Sequence, residues 1–556
     1  MRILIFHGYL LRGTGSNVYN AELARALARA GHDVHLFCQD LNPGDLEFVD
    51  AVGAWTGDTL EIEALPRDRP AGWGGCSVYR PPIGGLLPVY VADRYEGFTA
   101  KTFPELTVEE LQHYIDVNVR AVRDVARATR PDCALANHMV MGPAILARAL
   151  AGEIPYAVKI HGSAMEYTVR RDDRFLPYAV EGLAQCSTLL VGSRHIAERA
   201  WDTVKIDGLA RRTFLGPPGV DTEAFVPRDR MRARAGLTGL AERVEALPRR
   251  GYGPDSAAAI AALYRLAAGG KQFSYEAIAG QVAAMHAGYD TAGIDPGAPD
   301  ALRALAAAGD APIVLYVGKL IVSKGVDLLL TAWPLVRQKH PNAQLAITGF
   351  GAYREGLEML LMALSDRDLE TVRWIAAGGR AFEAGPAGRL AYVLAFLDGL
   401  SEADRAAYAD AAAGMTDSVR WFGRLEHDVL PELVQCADAQ VVPSTFPEAF
   451  GMVAAEAAAC GVPPLCANHS GLAEVIVELE KNLSGASGAL LSFRLSDGCV
   501  EQMAGRINRL IGLERIARAD LSARLSDTAR GRFSWDGVAS GVAAAAVGAH
   551  ASLRQP

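Results

Sequence analysis

The feature that most constrains the fold is a repeated unit of buried strand, glycine-containing loop and helix. Residues 2–6 form a short, largely apolar run that is typical of a buried parallel strand. A loop with Gly13 and Gly15 follows, and the helical pattern after it ends at Gly31. The loop lacks the full dinucleotide-binding fingerprint. This order predicts a doubly wound α/β domain with a ligand at the end of the loop.

A second series of the same units begins in the middle of the chain. Further strands of the first series are predicted at 133–138, 156–162 and 188–193. Strands of the second series are predicted at 311–320, 343–351, 418–423, 439–444 and 462–467. Two such series predict two similar α/β domains, and the cleft between them is the expected active site.

Three stretches interrupt the pattern. Residues 228–309 and 355–417 look mostly helical, and residues 55–106 form an excursion rich in proline, glycine and aromatic residues. We interpret the helical stretches as insertions that serve as lids, acceptor contacts or surfaces for a homo-oligomer. The alternative is extra helices packed on a surface. The excursion is long for a plain connection, and long loops are often functional.

The bulk composition excludes several classes of protein. The 556 residues include 55 basic and 64 acidic side chains, for a net charge of −9, so we expect no nucleic-acid partner. The eight cysteines form no Cys-x-x-Cys pair, which predicts reduced thiols rather than zinc or disulfides. No signal peptide or membrane span is expected, and we predict a cytoplasmic protein. Four arginines at near-helical spacing also allow peripheral contact with the inner membrane surface: Arg120, Arg123, Arg127 and Arg130.

Two carboxylates, Glu448 and Glu456, flank the start of an alanine-rich helix predicted at 451–460. A buried strand precedes the loop of Glu448, so the amino end of the helix faces the expected ligand and offers an anion site for a diphosphate. Glu448 can accept hydrogen bonds from ligand hydroxyls. With fully helical spacing the two acids lie ~12 Å apart, too far to share a proton. This spacing favours a grip on the two ends of one ligand.

These blocks resemble the family 4 glycosyltransferases of the GT-B fold, which are retaining enzymes that use sugar nucleotides. The matching segments are LYVGKLIVSKGVDLLL, TGFG, the block from WFGRLEHDVL to HSGLAEV, and FSWDGVA in the second half. The first half adds the opening unit, KIHGSA, VGSRHIAE and PPGVDTEAF. The Glu-x7-Glu block is highly specific, whereas each other block is weaker alone.

The resemblance implies an architecture of two Rossmann-like domains around a central cleft, with helical insertions. It predicts an acceptor domain at 1–227, an insertion at 228–309 and a donor-nucleotide domain at 310–535. The last segment, 536–556, is predicted to be a helix that crosses back to the first domain.

The resemblance also implies the roles of single residues. Glu448 is expected to contact the donor sugar, Glu456 the ribose and Lys324 the diphosphate. Lys319 stands where the family usually has arginine, and a lysine cannot offer the two-pronged contact of a guanidinium. The implied catalytic residues are His161, Lys324 and Glu448. The other implied donor contacts are Gly13, Gly15, Lys319, Phe450, Gly451, Met452, Glu456, Ser470, Gly471 and Leu472.

The implied reaction moves a sugar from a nucleoside diphosphate to a hydroxyl acceptor by same-face displacement, without a cofactor. UDP is the expected base, with GDP and ADP open, and the acceptor is a small molecule, a glycan or a lipid-linked glycan. The triplet 366–368 (Asp-Arg-Asp) is interpreted as a solvated helix face, so no metal is expected. Two alternatives stay open. One is a sugar-nucleotide 2-epimerase of the same fold, and the other is a transferase-like binding protein without activity.

Overall fold

A computed structural model describes residues 1–12, 15–90, 97–269, 273–483 and 490–556. The chain forms two compact units. Unit 1 consists of residues 1–219 and 532–556, and unit 2 consists of residues 220–531. The unit boundary thus follows Gly219, whereas the sequence prediction placed the end of the first domain at 227.

Unit 1 is built on a sheet that contains nine strands in the described part of the chain. The spatial order is β11-β10-β9-β8-β1-β2-β5-β3-β4, and all neighbours are parallel except the antiparallel pair β3 and β4. A separate parallel pair consists of β6 and β7. The strands are β1 (Arg2–Phe6), β2 (Asp33–Phe37), β3 (Ala51–Thr56), β4 (Thr59–Ala64), β5 (Cys76–Arg80), β6 (Leu86–Val89), β7 (Thr99–Thr102), β8 (Cys133–Asn137), β9 (Tyr156–Ile160), β10 (Thr188–Val191) and β11 (Thr213–Leu215).

Helices connect the parallel strands of unit 1. The longest begins with a capping box in which Thr107 accepts from the backbone of Glu110 and Glu110 accepts from that of Thr107. Its buried residues recur at helical spacing, as expected for an amphipathic connection. The helices are α1 (Gly15–Arg29), α2 (Val108–Thr129), α3 (Gly142–Leu150), α4 (Leu176–Gln185) and α5 (Arg194–Val204).

The excursion at 55–106 is not a plain loop. β5 lies inside the main sheet between β2 and β3, and β4 forms the sheet edge. The prediction missed these strands because β4 is exposed along almost its whole length and so shows no alternation of buried and exposed residues. Residues 91–96 lie outside the described residues.

Unit 2 contains a fully parallel sheet, with six strands in the part of the chain that is described. Its order is β14-β13-β12-β15-β16-β17, and the central strands are apolar and buried, as a parallel sheet covered on both faces requires. The strands are β12 (Ile313–Val317), β13 (Gln344–Thr348), β14 (Val419–Gly423), β15 (Ala439–Val442), β16 (Pro464–Ala467) and β17 (Ser492–Phe493).

The two stretches predicted as insertions are helical and belong to unit 2. The helices of the first are α6 (Arg230–Glu245), α7 (Pro254–Ala268), α8 (Tyr275–His286) and α9 (Ala298–Ala307). After α10 (Val326–Arg337), the helices of the second are α11 (Arg354–Ser365), α12 (Leu369–Gly378), α13 (Ala391–Gly399) and α14 (Glu402–Ala412). The remaining helices are α15 (Leu430–Val434), α16 (Met452–Ala459), α17 (Ser470–Glu480), α18 (Cys499–Ile511), α19 (Arg515–Phe533) and α20 (Trp535–Ala546), of which α20 lies in unit 1.

Part of the first insertion packs against the sheet of unit 2. Arg234 on α6 is almost fully buried and donates to Asp438, which also accepts from the backbone N–H of Ile313 at the start of β12. Arg354 on α11 lies between the rings of Tyr252 and Trp421 and pairs with Asp295 at 2.7 Å. These buried ion pairs hold the insertion against the sheet, since removing one partner would strand a buried charge.

The structure bears on the predictions of no membrane span and of a helix face at 366–368. No helix in the described ranges is both long enough and apolar enough to cross a bilayer. The triplet 366–368 is not a helix face. It forms the turn between α11 and α12, where Arg367 has a φ of 62° and Asp368 accepts from the backbone N–H of Thr371 to begin α12.

Candidate functional site

The predicted donor residues of unit 2 gather at one edge of its sheet. Lys324 follows β12, Glu448 follows β15 and Ser470 follows β16, and these three strands are neighbours. Since all strands are parallel, their carboxyl ends meet at the same edge, where ligands of open α/β sheets bind.

Lys324 and Glu448 form an ion pair across this edge. The ammonium of Lys324 donates to Oε1 of Glu448, and the hydroxyl of Ser444 donates to the same oxygen at 2.7 Å. Both side chains are only partly exposed, so the contact is less screened than a surface pair.

The turn that carries Lys324 is braced from two sides. The carbonyl of Ser323 accepts from the backbone N–H of Thr445, and Gly325 has a φ of 69° with its Cα packed against the carbonyl of Pro443. From the second insertion, Oε2 of Glu383 accepts from the backbone N–H of Val322 at 2.8 Å. Glu383 was missed by the sequence analysis, because a partner 61 residues away leaves no local pattern.

Glu456 lies on α16 and is almost fully buried, with Oε1 within 3.1 Å of Nε2 of His427. His427 follows β14 and so reaches the same edge of the sheet. Because α16 begins at Met452, Glu448 is outside the helix, and the helical spacing behind the ~12 Å separation does not apply over the whole interval. His427 was not predicted.

The two glutamates share one feature that suits ligand binding. In each, the hydrogen bonds from described residues end on Oε1, and none of them reaches Oε2. A carboxylate accepts several hydrogen bonds, so each Oε2 can still accept from a ligand hydroxyl. The protein bonds at Oε1 orient that second oxygen.

Ser470 and its neighbours hold the backbone of Glu448. Oγ of Ser470 accepts from the backbone N–H of Glu448 at 2.8 Å, and the carbonyl of Glu448 accepts from the backbone N–H of Gly471. A Cβ at position 471 would lie 2.7 Å from backbone atoms of Ala449 and Phe450, so only glycine allows this approach. Leu472 is buried. His469, which the sequence analysis did not single out, contacts both Ser444 and Ser470.

The remaining predicted donor contacts of unit 2 are at the same edge. Lys319 is exposed, with its ammonium 5.8 Å from the centroid of the Phe350 ring. The guanidinium of Arg424 lies 5.2 Å from that ring, which places a second cation there that was not predicted. Phe450 and Gly451 lead into α16, and Met452 is its first residue. The amino end of α16 is therefore next to Glu448, as the sequence predicted.

His161 lies in unit 1, after β9, at one end of a chain of hydrogen bonds. Its Nε2 is 2.8 Å from Oδ1 of Asn137, whose amide donates to Oδ1 of Asn20 at 2.7 Å. The amide of Asn20 is 3.0 Å from Nδ1 of His7, and Nε2 of His7 is 3.1 Å from Oδ1 of Asn17. One arrangement of protons satisfies the whole chain: both histidines are neutral and carry the proton on Nε2. Nδ1 of His161 is then an acceptor.

Burial supports this neutral state. It lowers the pKa of His161 well below its ordinary value, with a further contribution from nearby His138 and Lys159. Burial also lowers the pKa of His7 to about 4. The ring of His138 packs 5.0 Å from that of His161, and neither of its nitrogens has a hydrogen-bond partner in the described ranges. Burial and the hydrogen-bond chain therefore both favour a neutral His161.

The predicted glycine loop is only partly described. Gly13 lies outside the described residues. Gly15 is the first residue of α1 and is exposed. For the metal prediction, the described ranges contain no group of three or more His, Cys, Asp or Glu side chains placed to hold an ion.

Two family models match the chain. The glycosyl transferase 4-like domain matches residues 14–204, and the model described as glycosyl transferases group 1 matches residues 299–374 and 381–531. The chain belongs to the group 1 glycosyltransferases. The residues matched by the group 1 model include Lys324, Glu448, Glu456 and Ser470. The residues at the edge of the unit 2 sheet therefore belong to the part of the chain that this model matches.

Individual relatives share limited sequence identity with this chain. A glycogen synthase of Mycobacterium tuberculosis is 28% identical over 243 residues, which is 44% of this chain and 44% of that protein. The match thus spans less than half of the relative. Sucrose-phosphate synthase of Thermosynechococcus elongatus has a TM-score of 0.52 at 19% identity, covering 97% of this chain and 96% of that one. HepE of Anabaena, solved with UDP and glucose, has a TM-score of 0.51 at 14% identity and covers 98% of each chain. These structures confirm the predicted GT-B fold class.

Proposed function

We propose that this group 1 glycosyltransferase moves a sugar from a nucleoside diphosphate to a hydroxyl acceptor, with retention of configuration and without a metal. The observation that carries the proposal is the arrangement of Glu448 and Glu456 at the carboxyl edge of the unit 2 sheet. Each is oriented through Oε1 and keeps Oε2 for a ligand. Two spaced acceptors suit a ligand with hydroxyls at both ends, such as a sugar nucleotide.

Each donor contact has a proposed role. Oε2 of Glu448 accepts from a sugar hydroxyl, and Oε2 of Glu456 accepts from the ribose hydroxyls. Lys324 has three N–H donors, so it can keep its bond to Glu448 and still donate to a phosphate oxygen. Lys319 and the amino end of α16 add positive charge next to the diphosphate. The backbone N–H groups of Phe450, Gly451 and Met452 face the sugar in this proposal, and His161 stays a proposed contact to it.

The chemistry follows from where charge develops. Cleavage of the bond between the anomeric carbon and the phosphate oxygen makes the sugar positive and the diphosphate negative. Lys324 and Lys319 stabilise the negative leaving group, a role that fixed cations perform well because they need no reorganisation. The acceptor hydroxyl attacks from the face that the phosphate leaves, and the leaving phosphate oxygen takes its proton. No covalent intermediate with the protein is required.

UDP is the proposed base. The support is the structural neighbour HepE of Anabaena, which was solved in complex with UDP and glucose. At 14% sequence identity, this neighbour shares the fold.

A thermal-shift screen of the full chain tests this function. Ligands that bind only the folded state raise its apparent stability, by ~2.7 kcal/mol at a hundredfold excess over the dissociation constant. We expect one base among UDP, GDP and ADP to shift the midpoint, its sugar conjugate to shift it further, and EDTA to change neither. No shift on folded protein would overturn the proposal. Release of free UDP from UDP-sugar without acceptor, beyond slow leakage, would favour the 2-epimerase alternative.

A further inference from the structure

The imidazole of His469 contacts two residues that bond to Glu448. His469 lies between β16 and α17, with Nε2 2.7 Å from the carbonyl oxygen of Ser444 and Nδ1 3.0 Å from Oγ of Ser470. Ser444 and Ser470 both contact Glu448, in addition to Lys324. The hydroxyl of Ser444 donates to its carboxylate, and Oγ of Ser470 accepts from its backbone N–H.

The contacts of the ring favour the neutral tautomer that carries its proton on Nε2. A carbonyl oxygen cannot donate, so Nε2 must carry a proton to bond with Ser444. Oγ of Ser470 already accepts from Glu448, so its own proton needs an acceptor, and the lone pair of Nδ1 supplies it. The other neutral tautomer would set two acceptors against each other at 2.7 Å. A charged ring would leave the Ser470 hydroxyl proton without this acceptor.

We propose that His469, as the neutral tautomer protonated on Nε2, is a positioning residue for the donor sugar that acts on Glu448 through Ser444 and Ser470. The chain of bonds runs in one direction. The backbone N–H of Glu448 donates to Ser470, Ser470 donates to His469, and His469 donates to the Ser444 carbonyl. The inference rests on the proposed contact between Glu448 and the sugar.

Loss of His469 should weaken binding of the sugar half of the donor and leave binding of the nucleotide half unchanged. Without His469, Ser470 loses the acceptor that orients its hydroxyl, and the segment 444–448 loses the bond that holds its first carbonyl. Oε2 of Glu448 is then held less firmly, because only the bonds of Lys324 and Ser444 to Oε1 still orient the carboxylate. Glu456, the proposed ribose contact, keeps its bond to His427. Affinity for a sugar nucleotide should fall while affinity for the parent diphosphate stays.

The first test reads the tautomer in the wild-type protein. Nitrogen NMR of histidine-labelled full chain, with the His469 signals assigned by their loss in His469→Phe, distinguishes the two ring nitrogens. We expect Nε2 to carry the proton and Nδ1 to show the shift of a hydrogen-bonded acceptor. In Ser470→Gly the acceptor shift should disappear, and glycine suits the backbone at this position, where φ is 50°. A proton on Nδ1 in the wild type would overturn the proposal.

The second test compares two kinds of ligand. UDP-glucose, GDP-mannose, ADP-glucose and their parent diphosphates are titrated calorimetrically against wild type, His469→Phe, Ser470→Gly and the double variant. We expect each single variant to weaken binding of the sugar nucleotide about tenfold, the effect of losing one oriented hydrogen bond, and binding of the diphosphate by less than about twofold. The double variant should be little worse than either single one, since both break the same chain.

The outcomes separate this inference from the proposed function. If both variants bound a sugar nucleotide as tightly as wild type, the role of His469 would be overturned. The proposed function would not be affected by that result. Equal loss of sugar nucleotide and diphosphate would also overturn it, because the defect would then be general. Wild type that binds none of the probes would contradict the donor site itself, and the tautomer measurement would still decide the bonding of His469.

Discussion

The ammonium of Lys324 contacts Glu448 at Oε1, the oxygen that also accepts from Ser444, so the second carboxylate oxygen is oriented without being used by a described residue. The pair joins the turn after β12 to the loop after β15. Its two members are 124 positions apart in the chain, so only the parallel sheet brings them together. The ion pair thus couples the cation expected at the diphosphate to the acid expected at the sugar.

Glu448→Gln should lower kcat/KM by about 10- to 100-fold, as expected for a hydrogen bond that involves a charged group. If the amide oxygen keeps the bond to Lys324, an N–H₂ group replaces Oε2 and opposes the sugar hydroxyl. Release of nucleoside diphosphate in the presence of acceptor gives the rate. Glu501→Gln, at an exposed acid on α18, is the matched control and should match wild type. Equal rates for both variants would exclude Glu448 from the sugar contact.

Lys324→Ala should mainly lower kcat, by about 10²-fold, because the cation stabilises charge that develops on the leaving diphosphate. KM for the donor should change less. The same assay with varied donor concentration separates the two constants. Lys339→Ala, at an exposed lysine of unit 2, serves as the control. A variant with unchanged kcat and raised KM would show that Lys324 binds the ground state only.

Much of this site could be predicted from sequence. The strands before Lys324, Glu448 and Ser470 are apolar runs of strand length, and the carboxyl ends of parallel strands share an edge, so the gathering of these residues follows from pattern and topology. The orientation of Glu448 could not be predicted. It depends on Lys324 and Ser444, which both donate to Oε1 and meet only in the folded chain. The contact between His469 and Ser444 also joins residues 25 positions apart.

Glu383→Ala should destabilise unit 2 by about 1–3 kcal/mol, since the backbone N–H of Val322 then loses its acceptor beside the turn of Lys324. Urea unfolding followed by tryptophan fluorescence measures the change, with Glu501→Ala as the control. We also expect kcat to fall, because the turn that orients Lys324 loosens. Wild-type stability and rate in this variant would show that the second insertion does not brace the turn.

Asp327→Asn should remove a loss of stability that wild type shows as pH rises. Asp327 is buried on α10, and burial, with nearby Glu383, raises its pKa to about 7 from an ordinary 3.8. The folded state therefore keeps the proton when the unfolded state has released it, and the stability is full below about pH 4 and falls by ~1.4 kcal/mol per pH unit up to about 7. Urea midpoints between pH 4 and 8 should diverge in favour of the variant. Parallel curves for the two proteins would contradict a protonated Asp327.

The sequence analysis failed where periodicity carries no signal. β4 is exposed on both faces, and β5 follows a glycine-rich stretch, so the strands of the excursion at 55–106 were missed. The triplet 366–368 follows a helical pattern without interruption by glycine or proline, yet Arg367 adopts a positive φ and ends it. The chain of Asn137, Asn20 and His7 behind His161 joins three elements of unit 1, which no local pattern reveals.

The most direct test of the donor site is a calorimetric titration of wild type and Glu456→Ala with a sugar nucleotide of the preferred base, in EDTA. Glu456 is buried on α16 and is the proposed ribose contact, so its loss should weaken binding about tenfold or more. Glu501→Ala should bind like wild type. The account predicts metal-independent binding by wild type that Glu456→Ala impairs. Equal affinity of wild type and Glu456→Ala, or binding abolished by EDTA, would contradict it.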